Sequence, residues 1–126
     1  MTHCGWGSTL ESVAAGMPMA TWPLSAEQFI NERLIVDVLG IGVSVGVTKP
    51  IENVLTAINP GGGEAEAEAE VGMEQILKTL ERLMGHGAER EQRWQKAQEL
   101  KVKAKGSLEK DGSSHRNLEK LIQSFI

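Results

Sequence analysis

The sequence predicts an α/β protein: the remnant of a parallel sheet with its helices over residues 1–47, followed by C-terminal helices over 71–126. Three observations carry this expectation. Short apolar runs alternate with helix-period segments in the order β-α-β-α-β up to residue 47, with short connections, a pattern that places helices against a parallel sheet. Between 48 and 70 the composition shifts to Pro, Gly and a Glu-Ala repeat. From 71 onward, apolar residues recur every three or four positions.

Taken in order, residues 2–4 read as the end of a strand cut short. Ser8-Thr9-Leu10-Glu11 has the capping-box pattern, a Ser at the N-cap and a Glu three residues on. It predicts a helix over 8–15 with Leu10, Val13 and Ala14 on one side. Gly16 stands where a left-handed cap belongs, and Pro18 prevents continuation. Met19 to Trp22 is an apolar run stopped by Pro23, suited to a buried parallel strand. A second helix is expected over 27–39, its apolar residues covering more than one face and therefore deeply buried. Gly40 ends it, and 41–47 is a third, glycine-rich strand. Residues 48–70 read as a surface insertion, either disordered or partly helical (a short helix at 51–58, the Glu-Ala run prolonging the next helix). Met73, Ile76, Leu77, Leu80, Leu83 and Met84 keep helical spacing up to the Gly85-His86-Gly87 break. A further helix is expected over 89–105, with Trp94, Ala97, Leu100 and Ala104 inward and its lysines in solvent. Gly106 and Gly112 punctuate the chain before a last helix, whose Leu118, Leu121, Ile122 and Phe125 need a partner surface.

Composition narrows the function. With 126 residues the chain is one domain or part of one. Aromatics are 4% with no Tyr, against a base-stacking surface, and the net charge of −4 favours neither nucleic acid nor an anionic membrane. A single cysteine, Cys4, leaves no internal disulfide or cysteine-rich metal site. No run of about 18 apolar residues suggests a membrane span. No leader pattern is read at the N-terminus, and a cytoplasmic protein is expected.

A strand running through a glycine turn into a helix start forms an anion site, because free N–H groups and the positive helix end converge there. His3 and Ser8 sit on its rim. Ser8 and Glu11 would equally serve as a plain helix cap, and the pattern alone leaves both readings open. In parallel α/β sheets, ligands bind beyond the carboxyl ends of the strands, and both His3 and the stretch 22–28 lie at such ends.

The run Thr-His-Cys-Gly-Trp-x-Ser-Thr-Leu-Glu-Ser-Val-x-Ala-Gly-x-Pro-Met, followed by Thr-Trp-Pro-Leu-x-Ala-Glu-Gln-Phe-x-Asn-Glu, closely resembles the signature box of plant UDP-dependent glycosyltransferases. The match over 2–28 is nearly continuous. The resemblance implies part of the Rossmann-like C-terminal domain of a GT-B enzyme, which transfers a sugar, here expected to be glucose, from a UDP-sugar to a small phenolic acceptor such as a flavonoid. It implies that His3 binds the diphosphate and that Trp6 contributes backbone contact with its ring packed inward. Ser8 would donate to the α-phosphate, Glu11 would accept from the ribose hydroxyls, and Glu27 and Gln28 would hold the sugar. Gly7 stands where the family usually has Asn, which implies weaker donor binding. Cys4 would be a packed small residue, with Trp22 and Asn31 serving packing and local hydrogen bonding.

The family's uracil-stacking Trp and its catalytic His and Asp match nothing in this sequence, and His86 and His115 stand in the wrong context to replace that base. The resemblance therefore implies a donor-binding fragment with no catalytic residue of its own, completed by the N-terminal domain of the same enzyme. No cofactor or metal is expected, the UDP-sugar being a co-substrate. The alternative is a catalytically inactive truncated protein that binds a nucleotide or a protein partner.

Overall fold

The computed structural model describes residues 1–51 and 71–126. The expectations for 52–70, including the Glu-Ala run, lie outside the described residues. Strand β1 (Met19–Thr21) pairs in parallel with β2 (Gly42–Ser44), Met19 opposite Gly42 and Thr21 opposite Ser44. On the other side of β1, Thr2 forms a parallel bridge to Thr21, its N–H donating to the Ala20 carbonyl at 2.9 Å and its carbonyl accepting from Trp22 N at 2.8 Å. The order is thus Thr2, β1, β2, all parallel, with β1 in the middle.

Two expected strands shorten. The stretch 2–4 contributes only the bridge at Thr2, because Cys4 adopts a left-handed backbone with φ +67° and leaves the extended conformation. The stretch 41–47 contributes three residues, and Gly46, with φ +94°, turns the chain away after them.

Helix α1 (Trp6–Ala15) ends at Gly16, whose φ of +71° lets Met17 N reach Ser12 O at 2.9 Å and Gly16 N reach Val13 O at 3.0 Å. These two bonds form the Schellman closure anticipated from Gly16 and Pro18. Helix α2 (Gln28–Arg33) widens into a π-helical turn, Leu34–Val38, closed by Leu39 N to Leu34 O at 2.8 Å. The deep burial expected for this helix is not found. Ile35 is fully buried, whereas Ile30 and Val38 are each 73% exposed. Gly42 explains how closely the π turn approaches the sheet, since a Cβ there would lie 2.6 Å from Ile35 Cγ2 and 3.0 Å from Val36 Cγ2.

Helices α3 (Met73–Met84), α4 (Ala88–Leu108) and α5 (Ser113–Gln123) follow. Gly106 lies within α4 instead of ending it. Adjacent residues of a strand face opposite sides of a sheet, and both sides are covered here. Met19 joins Cys4, Ile35, Ile41 and Ala97 in one cluster, with Val13, Leu39 and Leu100 packed against it, while Ala20 joins Val43 and Leu83 in another. Helix α3 meets the sheet at Thr79, whose hydroxyl proton is shared between Gln75 O at 2.8 Å and Ser44 O at 3.2 Å.

Helix α4 reaches back to the N-terminal half. Gln98 Nε2 donates to Gly16 O at 2.8 Å. Two of the lysines expected in solvent lie along glycine caps: Lys101, half-buried, beside Gly16, and Lys96, exposed as expected, beside Gly40, which follows α2 with φ +64°. A cation at a helix C-terminus is favoured by the helix dipole. Arg93, buried, donates through Nη1 to Arg82 O at 2.9 Å and through Nη2 to Glu89 Oε1 at 2.6 Å, joining the end of α3 to the start of α4. The hydrogen bond and charge of Arg82, with Arg93 beside it, hold the Glu89 carboxyl below its ordinary range. No residue of α5 is buried.

Candidate functional site

Because the three extended segments are parallel, the chain leaves all of them at one edge of the sheet. At that edge the turn at Cys4 and Gly5 leads into α1, and the turn 22–27 leads into α2. The two helix starts face a common rim.

Helix α1 begins three residues earlier than the capping-box pattern suggests. Its N-cap is Gly5, extended at φ −61° and ψ 147°, and no side chain caps it. The Gly5 carbonyl instead accepts both Thr9 N and Thr9 Oγ1, each at 3.0 Å. Ser8 is therefore the third helical residue and Glu11 lies in the next turn, so their capping-box roles are not formed. The N–H groups of Trp6, Gly7 and Ser8 precede any intrahelical acceptor and point outward at the positive end of the dipole. Ser8 is half-buried, and Gly7 and Glu11 are exposed. A residue three positions on shares the helix face, so Glu11 lies on the side of Ser8. Trp6, the first helical residue, is 51% exposed and is not packed inward as expected.

His3 is exposed, and its imidazole folds over Gly5. A Cβ at Gly5 would clash with His3 Nε2 and lie 3.1 Å from Cε1. The missing side chain is what admits the ring beside the helix start. Between them Cys4 is fully buried. Its left-handed backbone costs on the order of 1–2 kcal/mol for a non-glycine residue, and it is held by three bonds. Cys4 N donates to Thr2 Oγ1 at 3.2 Å, Sγ donates to Thr2 O at 3.7 Å, and the Cys4 carbonyl accepts from Asn31 Nδ2 at 2.9 Å. Burial, reinforced by the Glu32 carboxylate, pushes the thiol up to about 11, which suits a packing residue and not a nucleophile.

On the second turn, Ala26 adopts φ +54° and Pro23 is buried. Gln28 Oε1 accepts from Leu24 N at 2.9 Å and Ser25 N at 3.2 Å. Its oxygen is thereby committed to the turn, leaving the Nε2 donor for a ligand. Glu27, exposed, is the N-cap of α2. Glu32 is buried and accepts from Thr21 Oγ1 at 2.6 Å, fastening α2 to β1.

The rim thus gathers His3, Trp6, Gly7 and Ser8 from one turn and Glu27 and Gln28 from the other. It combines N–H and imidazole donors for an anion, a carboxylate able to accept from hydroxyls, and an amide donor. The part of Asn31 in joining the two turns goes beyond the local bonding expected of it, and only its 2.9 Å bond to Cys4 O reveals that. His86 lies in the turn before α4, and His115 sits on α5 with Nδ1 3.6 Å from Glu119 Oε2, both outside this rim. Among the described residues no group of three or more His, Cys, Asp or Glu could hold a metal ion, and no helix is long and apolar enough to cross a membrane.

A parallel α/β unit whose helix starts converge at the strand ends has the local geometry of a Rossmann-type fold, in which ligands bind beyond the carboxyl ends of the strands. The family model for "UDP-glucoronosyl and UDP-glucosyl transferase" matches residues 1–59. UDP-glycosyltransferase 73C7 of Arabidopsis thaliana is 44% identical over 126 residues, all of this chain and 24% of the relative. Anthocyanidin 3-O-glucosyltransferase 4 of Manihot esculenta is 46% identical over 122 residues, 97% of this chain and 47% of the relative. The crystal structure of Glycyrrhiza uralensis UGT73P12 complexed with glycyrrhetinic acid 3-O-monoglucuronide superposes with a TM-score of 0.80 at 41% identity, over 98% of this chain and 23% of that one. A transferase from Siraitia grosvenorii in complex with UDP gives 0.74 at 31% identity, over 96% and 24%. Over nearly its whole length the chain is similar to plant UDP-glycosyltransferases, and it shares the α/β architecture of the matching part of their GT-B structures. It spans about a quarter of the length of first-ranking relatives such as the Arabidopsis protein.

Proposed function

We propose that this chain supplies the diphosphate- and sugar-binding wall of an enzyme that transfers glucose from a UDP-sugar to a hydroxyl of a small phenolic acceptor such as a flavonoid. The observation that carries the reading is the convergence of His3 and the open start of α1 with Glu27 and Gln28 at one sheet edge. The similarity to a UDP-bound transferase supports the donor, and the similarity to an anthocyanidin glucosyltransferase supports the acceptor.

In this reading His3, Ser8 and the first-turn N–H groups of α1 stabilise the charge that grows on the diphosphate as the glycosidic bond breaks. Fixed donors aimed at developing charge need no reorganisation during reaction. Glu11 accepts from the ribose hydroxyls. Glu27 accepts from sugar hydroxyls, and Gln28 donates to them through Nε2, its oxygen being occupied. The base that takes the acceptor proton must stand within hydrogen-bond reach of that hydroxyl. None of the rim residues has this role, so it falls to the remaining part of a longer enzyme, and the 126-residue chain alone binds donor without turnover.

Calorimetric titration of the chain with UDP tests the reading. Binding is expected, and His3→Ala and Ser8→Ala each weaken it about tenfold, the loss of one charge-assisted hydrogen bond. No heat from UDP, or affinity indifferent to both substitutions, refutes it.

A further inference from the structure

We infer that Asn31 is a positioning residue that locks the two sides of this site together; the inference rests on the donor-site reading above. Asn31 is 9% exposed and lies three residues after Gln28 and four after Glu27 on the same helix. Its backbone N–H donates to Glu27 O at 2.9 Å, and its side-chain Nδ2 donates to Cys4 O, also at 2.9 Å. One residue therefore bonds the start of α2 and the turn that carries His3.

The bonded oxygen belongs to the peptide between Cys4 and Gly5. A peptide unit is planar, so fixing its oxygen fixes the plane. This plane sits where the chain leaves Thr2 for α1, beside the left-handed Cys4 and under the His3 ring. A non-glycine residue holds such a backbone only when its surroundings over-determine it, and the Asn31 amide is the bond from outside the turn that grips the Cys4 carbonyl. Losing it frees the Cys4–Gly5 peptide to rotate. The orientation of His3 and of the first-turn N–H groups goes with it. Leu shares the γ-branched shape of Asn, though it is larger, and has no donor; ionised Asp has nearly the volume of Asn and offers only acceptors. Either residue empties the interaction while filling the space.

The test uses the whole chain and nuclear magnetic resonance. In the wild type, the Asn31 side-chain amide protons exchange with solvent at least about tenfold more slowly than those of exposed Asn117, as a buried bonded donor must. Equal rates overturn the inference, and this readout needs neither variant nor ligand. In Asn31→Leu and Asn31→Asp, UDP affinity is expected to fall about tenfold, equivalent to about 1.4 kcal/mol. The His3 ring and Gly5–Ser8 amide resonances should move while those of Ala97 and Leu83 stay in place. A folded variant that keeps wild-type affinity overturns the inference, as does one whose whole spectrum shifts uniformly. If the wild type fails to take up UDP, the donor-site reading falls, and the Asn31 exchange rate with the His3 shifts still decides whether the lock exists.

Discussion

Substituting Gly5 by Ala separates the position of His3 from the stability of the fold. The backbone at Gly5, φ −61° and ψ 147°, is open to any residue, so the new methyl brings no dihedral strain. What it meets is the His3 imidazole, 3.1 Å away at Cε1, 3.3 Å at Cδ2 and nearer still at Nε2. The ring is exposed and swings aside cheaply, by about 1 Å to restore ordinary contact distances of about 3.5–4 Å. A hydrogen bond near 2.9 Å is lost when one partner retreats by about 1 Å. The expected cost is about 1.4 kcal/mol in UDP binding, a tenfold weaker affinity. Fold stability falls by about 1 kcal/mol or less, the usual difference between Gly and Ala at an N-cap. Titration calorimetry and urea melts on wild type, Gly5→Ala, His3→Ala and the double variant measure both. Since the two changes remove one interaction, the double variant should bind about tenfold, not hundredfold, more weakly than wild type. Multiplicative losses, or a Gly5→Ala protein with wild-type affinity, would refute the reasoning.

Three other perturbations follow from the packing. A thiol raised from 9.0 to about 11 has roughly a hundredfold smaller thiolate fraction at pH 8, so Cys4 should label with iodoacetamide about a hundredfold more slowly in the native chain than in urea. The sign for stability follows from the same shift: the contribution is complete below about pH 9 and is lost as the pH rises through about 11, which a series of urea melts would show. Gly42→Ala places a methyl 2.6 Å from Ile35 Cγ2 and should lower stability by about 1–3 kcal/mol, a loss that thermal unfolding would detect. Arg93→Met keeps the packed stem but removes the bonds to Arg82 O and Glu89, and a loss of about 1–3 kcal/mol is expected in denaturant titration.

The sequence announced some of this fold more clearly than the rest. Gly16 followed by Pro18 signalled the end of α1, and the spacing of Met73 to Met84 outlined α3, because both signals are local in chain. The start of α1 was misread for an equally local reason: Ser8 and Glu11 have the composition of a cap, but glycine at position 5 lets the helix begin sooner and leaves Thr9 to satisfy the Gly5 carbonyl. Leu34 to Leu39 is apolar at nearly every position, so its period could not reveal a π turn that buries Ile35 and exposes Val38. The candidate rim residues are indicated by the pattern of residues 2–28, not by periodicity. Neither source could show that the Gln28 oxygen is occupied or that Asn31 bonds Cys4, since both facts are contacts between separate turns.

The reach of α4 to Gly16 and Gly40 gives the rim a mechanical footing. Helix α1 is ten residues and therefore about 15 Å long. A stiff rod is aimed by holding its far end, and the far ends of α1 and α2 meet α4 within two turns: Gln98 bonds Gly16 O, Lys101 lies beside Gly16 and Lys96 beside Gly40. Alignment of the two rods is thus set by parts remote from any ligand. A small roll of α4 would tilt both together, changing the angle at which they meet a ligand while leaving each helix intact. Side chains on α4 thus reach the rim only through the far ends of the two helices.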